Sequence, residues 1–273
     1  MATQKEKGQL FRALHQREGA FVIPNPWDLG SARLLAGLGF EALATTSAGY
    51  AFSLGKRDSA VGRRAMMAHV AALAPATDLP LSVDMENGFG DEPQFVAETI
   101  QMAAEAGAAG GSIEDATGRP GDPIYPLEFA VERIRAAVGA ARGLAFTFTL
   151  TARCENYLHG RPDLADTIRR LQAYQEAGAD VLYAPGLTSH DEIATVIQSV
   201  DRPVNVLVGF KGIRLNVAEA SELGVKRLSV GSALARSAYG ALLDAAEEIR
   251  ERGTFYFGDE SVSFSTLSAK FPG

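Results

Sequence analysis

The stretch AAEAGAAGGSIED, residues 103–115, decides the fold, because a helical run stops at a glycine and an apolar strand follows within a few residues. The same order recurs in LLAGLGFEALATTS (34–47), YQEAGADVLYAPG (174–186) and ASELGVKRLSVG (220–231). The four glycines stand where the end of a helix needs left-handed backbone, and they are Gly39, Gly107, Gly178 and Gly224. Repeated helix, glycine and short buried strand predict βα units and a parallel sheet.

Four further apolar runs bring the predicted strands to eight, and they are Phe21–Pro24, Leu81–Asp84, Ala145–Thr151 and Val204–Val208. Eight parallel strands close most readily into a barrel of about 250 residues. We therefore predict an α/β fold, a (β/α)8 TIM-type barrel, as a single domain over residues 1–273. A doubly wound open sheet is the alternative, but no G-x-G-x-x-G follows the first strand. The aromatic tail, residues 253–273, is poor in helix signals and is predicted to be a C-terminal arm; a frayed terminus is the alternative.

The composition narrows the class of protein and its compartment. The chain has 273 residues, 47% of them hydrophobic, and a formal net charge of −7, which argues against nucleic acid or an anionic membrane as a partner. The sole cysteine, Cys154, cannot form an intramolecular disulfide, so a reducing cytoplasm is expected. Neither a signal peptide nor an apolar run of about 18 residues is present, so we expect a soluble protein.

Three predicted strands carry polar side chains on one face only. The polar sets are Ser82, Asp84 and Glu86; Ser112 and Glu114; and Thr147, Thr149, Thr151, Arg153 and Glu155. The apolar faces can pack on outer helices, so the polar faces should point into the barrel. The charged members stand at the carboxyl ends of the strands, where barrel enzymes build their sites. We therefore expect Asp84, Glu86 and Glu114 to converge at one mouth of the barrel.

Three converging carboxylates repel one another unless a cation joins them. The candidates are Mg²⁺, which accepts one or two carboxylates and keeps several waters, and Arg153. The spacing D-x-E at the end of one strand would let one acid bind Mg²⁺ directly and the other bind it through a water molecule. Solvated loop acids are the alternative for the three carboxylates, and a structural ion pair is the alternative to anion binding by Arg153. Asp115 has the opposite parity to Glu114 and is predicted to be a scaffold acid.

These residues resemble the isocitrate lyase/phosphoenolpyruvate mutase superfamily over roughly residues 20–235. The matching segments are NPWDLGSARLL (25–35), TTSAG (45–49), LGKRDS (54–59), VDMENGFG (83–90), IED (113–115), TAR (151–153) and AYQEAGAD (173–180). The family usually carries D-x-D-x-G-[YF]-G, and Glu86 replaces its second acid here. The resemblance implies a pyruvate-like enolate as the shared intermediate, and tetramers in which the last barrel helix is exchanged between subunits.

The resemblance also implies roles by position. Asp84 would bind Mg²⁺, with Mn²⁺ as the alternative, while Glu86 and Glu114 would act through metal-bound waters. Asp58 would lie near the reacting group, and Arg153 would pair with substrate oxygens. The predicted substrate-binding residues are Thr46, Ser47, Ala48, Trp27, Asn205 and Arg153, and the predicted catalytic residues are Asp58, Arg153 and Glu114.

The segment after the fourth predicted strand departs from the lyase pattern. Family lyases carry K-K-C-G-H there, whereas residues 116–129 read ATGRPGDPIYPLEF and contain no Cys, Lys or His. We interpret this segment as an irregular lid loop, with a static loop as the alternative. Arg119 and Tyr125 are its candidate chemical groups.

Three functions compete at this stage. The first is an Mg²⁺-dependent lyase that cleaves a C–C bond of a 2-oxo or 2-hydroxy acid, either oxaloacetate decarboxylase-like or 2-methylisocitrate lyase-like. The second is P–C bond chemistry on a phosphonopyruvate-type acid. The third is a non-catalytic dicarboxylate-binding protein, which the missing loop residues favour. All three predict a small acid as ligand and a homo-oligomer, a dimer or a tetramer.

Overall fold

A parallel barrel forms the centre of the computed structural model, which describes residues 1–271. In chain order the strands are β1 (Phe21–Ile23), β2 (Leu43–Ala44), β3 (Leu81–Asp84), β4 (Gly110–Glu114), β5 (Ala116–Arg119), β6 (Asp122–Ile124), β7 (Thr149–Arg153), β8 (Val181–Tyr183), β9 (Val204–Leu207) and β10 (Arg227–Ser229). The barrel sheet has the order β1-β10-β9-β8-β7-β4-β3-β2, and every pairing within it is parallel. At the remaining seam the Ala44 amide donates to the Pro24 carbonyl oxygen at 3.0 Å. The predicted (β/α)8 TIM-type barrel is confirmed.

Helices surround the barrel, and the apolar faces of the strands pack against them. The α-helices are α1 (Gln4–Gln16), α2 (Leu29–Gly37), α3 (Ser47–Ser53), α4 (Arg63–Leu73), α5 (Pro93–Glu105), α6 (Leu127–Arg142), α7 (Leu164–Glu176), α8 (His190–Gln198), α9 (Val217–Leu223), α10 (Ala233–Arg252) and α11 (Phe264–Ser268). Val83, Ile113 and Leu150 are at most 1% exposed, as the predicted strand parity requires. Within residues 1–271 no helix has both the length and the apolarity that crossing a membrane demands.

The glycine-terminated helices lie where the sequence predicts them. Gly39, Gly107, Gly178 and Gly224 all have positive φ angles, between 88° and 106°. A left-handed residue ends each helix sharply, so the chain can turn back into the next strand within a few residues. This turn recurs around the barrel and sets the spacing of its βα units.

The predicted strand Ala145–Thr151 is wrong at its start, because β7 begins at Thr149. Thr149 pairs with Gly110, the first residue of β4, so the residues before Thr149 have no neighbouring strand at their level. Helix α1 covers this segment instead, and its Gly8 approaches the Thr147 carbonyl so closely that no side chain would fit. The alternation of Phe and Thr therefore begins before the strand does, and it predicts strand for residues that are not paired.

The predicted irregular loop is also corrected. Strands β5 and β6 form an antiparallel hairpin in which Ala116 pairs with Ile124 and Arg119 with Asp122. Pro120 and Gly121 supply its turn, and Gly118 takes a φ of 74° within β5. The Thr117 hydroxyl bonds the Asp122 carbonyl oxygen across the hairpin. These local bonds supply order that a segment rich in Pro and Gly does not reveal in its sequence.

Helix α10 and the segment after it stand apart from the barrel. Only Ala235 and Glu248 of the 20 residues in α10 are buried, while Leu242 is 60% and Leu243 61% exposed. Beyond Arg252 the chain forms a 3-10 turn, Tyr256–Glu260, and then α11, so it contains more helix than its sequence predicts. The last part of the predicted arm, residues 272–273, lies outside the described residues.

Candidate active site

A cavity of about 190 Å³ lies within the barrel and opens at the carboxyl ends of the strands. Hydroxyl groups form much of its wall, and they belong to Thr45, Thr46, Ser47, Ser82, Ser112, Tyr183, Ser229 and Ser232. Its charged lining residues are Asp58, Asp84, Arg153 and Arg227. A polar cavity with two guanidinium groups is suited to small anionic molecules.

Arg153 holds the carboxylates of this site together. It extends from the end of β7, and its Nη1 lies 2.9 Å from Asp84 Oδ1. Its Nη2 lies 3.2 Å from Glu114 Oε2 and 2.8 Å from Glu155 Oε1. Burial alone would lower its pKa, but the three carboxylates raise the pKa of Arg153 well above its usual value. The guanidinium is therefore a fixed positive charge at the centre of the site.

Asp84 ends β3 and is oriented by the residues that follow the neighbouring strand β2. Its Oδ2 accepts hydrogen bonds from the Ser47 hydroxyl at 2.9 Å and from the Ser47 amide at 3.1 Å. Its own amide donates to Thr45 Oγ1 at 2.9 Å. The TTSAG segment thus fixes the rotamer of Asp84, so its carboxylate points at Arg153 and the cavity.

Among the acids of this site, Glu86 has the fewest partners for its carboxylate. Its Oε1 is buried and has no hydrogen-bond partner in the structure. Burial, followed by the charges of Asp84 and Asp58, raises the pKa of Glu86 to about 8. Its φ angle is 48°, a backbone conformation that non-glycine residues rarely adopt. A buried, unpartnered carboxylate oxygen next to further acids is a place where a cation fits.

The donor set suits a hard divalent ion. Burial also raises the pKa of Glu114 well above its usual value, although Arg153 opposes the effect. Across residues 1–271, no three side chains of the carboxylate, imidazole or thiol class converge into a complete ligand set. Mg²⁺ does not need such a set, because it binds through one or two carboxylates and retains waters. Asp84, Glu86 and Glu114 could therefore hold Mg²⁺.

The remaining predicted groups differ in how close they lie to the cavity. Thr46, Ser47, Ala48 and Asn205 line it. Asp58 also lines the cavity from an otherwise exposed rim, where partial burial and then the charge of Asp84 raise its pKa.

Trp27, Arg119 and Tyr125 do not line this cavity. Trp27 packs beside Gly49 of α3. The Arg119 guanidinium and the Tyr125 hydroxyl both bond Asp91, at 2.7 and 2.6 Å. The hairpin β5–β6 is therefore tied to the loop after β3, and its two candidate groups contact that loop instead of the cavity.

Asp115 has the scaffold position that its parity predicts. It is 3% exposed and accepts hydrogen bonds from the Tyr174 hydroxyl at 2.6 Å and the Glu155 amide at 2.8 Å. Arg170 Nη1 lies 3.2 Å from its Oδ2. This network fixes the chain directly after Arg153, so it supports the site from outside the barrel.

Sequence reasoning assigned no role to four residues of this site. Glu155 is the third carboxylate on Arg153, and Tyr183 places its ring 5.1 Å from the same guanidinium. Asn25 closes the barrel seam, because its Oδ1 accepts from the Val230 and Gly231 amides at 2.9 Å and its Nδ2 donates to the Thr45 carbonyl. Arg227 forms the floor of the cavity. The parity of Glu155 with Arg153 was a usable signal for that residue.

Comparison with known proteins identifies the family. The sequence model described as phosphoenolpyruvate phosphomutase matches residues 11–250, a range that contains all of the candidate site. The chain belongs to the phosphoenolpyruvate mutase/isocitrate lyase superfamily. The resemblance given by the sequence motifs is thus confirmed, as is the prediction of an enzyme of this superfamily.

Three relatives illustrate the range of this superfamily. A crystal structure of a candidate lyase/mutase from Burkholderia cenocepacia J2315 has a TM-score of 0.95 and 62% identity, and the match covers 97% of this chain and 95% of that one. The oxaloacetate decarboxylase of Paraburkholderia xenovorans LB400 is 30% identical, over 96% of this chain and 84% of its own. The 2-methylisocitrate lyase of Escherichia coli K12 is 34% identical, over 71% of this chain and 66% of its own.

Proposed function

We propose that this chain is an Mg²⁺-dependent carbon–carbon lyase that acts on a 2-oxo or 2-hydroxy carboxylic acid. A 2-oxo acid would react through a pyruvate-type enolate, whereas a 2-hydroxy acid would become a 2-oxo product and leave the electron pair on the departing fragment. The observation that carries the proposal is the buried Arg153 among three carboxylates, next to Glu86 with its unpartnered oxygen. The relatives named as a decarboxylase and a methylisocitrate lyase support the same type of bond cleavage.

In this proposal Asp84 would hold the metal ion directly, and Glu86 and Glu114 would act through metal-bound water; Mn²⁺ is the alternative ion. When bound, Mg²⁺ supplies positive charge beside the substrate oxygens on which negative charge develops. Arg153 would pair with the same oxygens, and the Thr46–Ala48 segment, which also lines the cavity, would hold the substrate carboxylate. Asp58 lies on the rim, where it can take the hydroxyl proton of a 2-hydroxy acid.

Decarboxylation of an oxaloacetate-like acid is the simplest reaction for this lining. The bond to the departing carboxylate breaks, CO₂ leaves, and the electron pair stays on the three-carbon fragment as an enolate, which takes a proton from water at C3 to give pyruvate. No acid is needed for the leaving group. This suits the cavity wall, whose described residues include no Cys, Lys or His. The 2-methylisocitrate lyase-like reaction needs a further proton donor on that wall.

The decisive experiment measures pyruvate release from 2-oxo and 2-hydroxy di- and tricarboxylates and from phosphonopyruvate, with Mg²⁺ and with a chelator. Metal-dependent pyruvate from a carboxylic acid supports the proposal and identifies the leaving group. Pyruvate only from phosphonopyruvate would replace it by P–C chemistry. Binding of the same acids without any turnover would favour a dicarboxylate-binding protein.

Replacing Arg153 is expected to impair binding and chemistry together. Its charge attracts the substrate and attracts the developing enolate more strongly, so Arg153→Ala should raise KM and lower kcat, with a loss of about 10²- to 10³-fold in kcat. Steady-state kinetics would measure both constants. Arg161→Ala, an exposed arginine beyond β7, is the control and should change neither. An unchanged kcat in Arg153→Ala would show that the residue only holds the strand ends together.

We also propose that the protein is a homo-oligomer in which α10 and the arm pack on a partner subunit. The exposed Leu242 and Leu243 support this, since monomers rarely expose large apolar patches. Glu248 fixes the start of the arm by accepting from the Thr254 hydroxyl at 2.6 Å and the Tyr256 amide at 2.7 Å. A cytoplasmic location is proposed on the buried free thiol of Cys154.

The double variant Leu242→Glu/Leu243→Glu is therefore expected to have a lower molar mass in solution than the wild type. Two buried charges at the interface would oppose association, because their desolvation is unfavourable. Light scattering after size-exclusion chromatography measures the mass. Leu10→Glu on α1, a leucine that is 43% exposed, is the matched control. A wild-type chain that is monomeric would contradict the proposal.

A further inference from the structure

A second cavity, here called the lower cavity, lies at the amino ends of β7, β8 and β9, opposite the candidate active site. Its volume is about 150 Å³, which is large enough for a group of several heavy atoms. Three arginines from three separate segments line it: Arg12 of α1, Arg142 at the end of α6, and Arg202 directly before β9. None of its lining residues also lines the candidate active site. The lower cavity is therefore a separate place in the fold.

Positive charge is concentrated in the lower cavity, although the whole chain has a formal net charge of −7. The only carboxylate among its lining residues is Asp180, which lies 2.6 Å from Arg142 Nη2. Within residues 1–271 neither Arg12 nor Arg202 takes part in an ion pair. Lys5 extends the basic surface along α1, about two helical turns before Arg12. Two unpaired guanidinium groups that line one concave surface attract an anion.

Threonine hydroxyl groups form part of the same wall. Thr147 and Thr149 line the lower cavity, and within residues 1–271 their side chains bond no other residue. Thr149 is only 3% exposed, so a partner for its hydroxyl has to enter through the cavity. Thr151, the next inward threonine of β7, differs because its Oγ1 accepts from Arg227 at 3.0 Å. A buried hydroxyl without a partner, next to arginines, is a further donor for an oxyanion.

His15 separates the lower cavity from the candidate active site. It lines the lower cavity, and its Nδ1 lies 2.8 Å from the Phe11 carbonyl oxygen, which can only accept. Nδ1 therefore carries the proton, and Nε2 accepts from Arg227 Nη1 at 3.3 Å. Burial, followed by the charge of Arg227, lowers the pKa of His15 to about 3, so the imidazole is neutral at neutral pH. Arg227 lines the other cavity, so the two cavities meet at this one contact and stay distinct.

An apolar surface adjoins the arginines. A more open cavity continues from the lower cavity along α1, and Arg12, Arg142 and Arg202 line both. The wall of the more open cavity includes the partly exposed side chains of Leu144 and Phe146. A ligand that carries an apolar group next to its anionic group would therefore find a surface for each.

We infer that the lower cavity binds a phosphate group, either as free phosphate or as the ester of a small organic molecule. Phosphate has a charge of about −2 near neutral pH, which matches two unpaired guanidinium groups, whereas a single carboxylate would leave one unmatched. The planar guanidinium groups of Arg12 and Arg202 donate to the phosphate oxygens in pairs of hydrogen bonds, and the Thr149 hydroxyl donates from the inner wall. This site is independent of the proposed reaction, because the two cavities share no lining residue.

Calorimetric titration of the full chain with inorganic phosphate tests the inference. The wild type should bind phosphate saturably, and Arg12→Gln/Arg202→Gln should raise the Kd at least 20-fold, because both unpaired charges are lost. Both arginines are exposed, so the double variant should fold. Thr149→Val keeps the charge and the shape but removes the hydroxyl, and it should raise the Kd about 3- to 10-fold. Arg135→Gln, an exposed arginine of α6 outside the lower cavity, is the matched control and should keep the Kd within about 2-fold.

Two further titrations identify the ligand and the place of binding. AMP that binds at least 10-fold more tightly than phosphate identifies an ester as the ligand, and equal or weaker binding identifies free phosphate. Arg153→Ala should keep the phosphate Kd within about 2-fold, because Arg153 belongs to the other cavity.

Four results would overturn the inference. They are a wild type that binds neither phosphate nor AMP, an unchanged Kd in Arg12→Gln/Arg202→Gln, an equal loss of affinity in Arg135→Gln, and a loss of phosphate binding in Arg153→Ala. The last result would place the phosphate in the candidate active site. None of the four bears on the pyruvate-release experiment, so this inference and the proposed function fail separately.

Discussion

The variant Asp84→Asn is expected to lose metal-dependent turnover while keeping its fold. Asparagine has nearly the same shape and can still accept from Ser47, but it lacks the negative charge that a divalent ion requires. We expect kcat to fall about 10³-fold or more, because the charge that stabilises the enolate can no longer be bound. Pyruvate release with Mg²⁺ measures the turnover, and calorimetric titration with Mg²⁺ or Mn²⁺ measures the metal affinity.

Two further variants make that result specific. Glu86→Gln should lower the affinity for the metal by about 10- to 100-fold, which is the effect typical of groups that act on a metal through water. Asp201→Asn removes an exposed carboxylate next to β9 and should leave both readouts unchanged. If Asp84→Asn retained wild-type turnover, the assignment of Asp84 as a metal ligand would be wrong.

The variant Arg170→Met is expected to show the largest loss of stability. Arg170 is buried and pairs with Asp115 at 3.2 Å and with Asp166 at 2.7 Å, and it donates to the Tyr125 carbonyl at 3.0 Å. Methionine would leave Asp115 buried without a cation, which lowers the free energy of unfolding by about 3–5 kcal/mol. Chemical denaturation, followed by circular dichroism, measures this change.

Its neighbour on the same helix provides the control. Arg169 also pairs with Asp166, but its side chain is 66% exposed. Arg169→Met should therefore change the free energy of unfolding by no more than about 0.5 kcal/mol. A loss below about 1 kcal/mol in Arg170→Met would show that Tyr174 and the Glu155 amide satisfy Asp115 without help.

The barrel was predictable because its signals are local. A glycine such as Gly107 ends its helix for a steric reason, and the alternation along β3 and β4 follows from the strand period. The wrong predictions concern segments whose structure depends on contacts with other segments. Residues 145–148 alternate like a strand but have no neighbour to pair with, and the hairpin β5–β6 depends on cross-strand bonds that composition does not reveal.

The candidate site was predictable at the strand ends and less so elsewhere. Asp84, Glu114 and Arg153 share an inward parity and adjacent strands, so the fold alone brings them together. The contact of Arg227 with Thr151 spans three strand pairings across the barrel, and no sequence period encodes that distance. Arg119 and Tyr125 were predicted to be the chemical groups of the lid loop, and their attachment to Asp91, about 30 residues away, is a tertiary contact that the sequence does not reveal.

The left-handed backbone of Glu86 bears on any attempt to make this enzyme more robust. A φ of 48° is unfavourable by about 1–2 kcal/mol for a residue with a side chain, and glycine would relieve it. A screen that rewards heat tolerance alone would therefore be drawn to position 86. The recovered Glu86→Gly variants would be more stable, but they would bind a divalent ion more weakly. Directed evolution of this chain therefore needs a selection for turnover in addition to a selection for thermal stability.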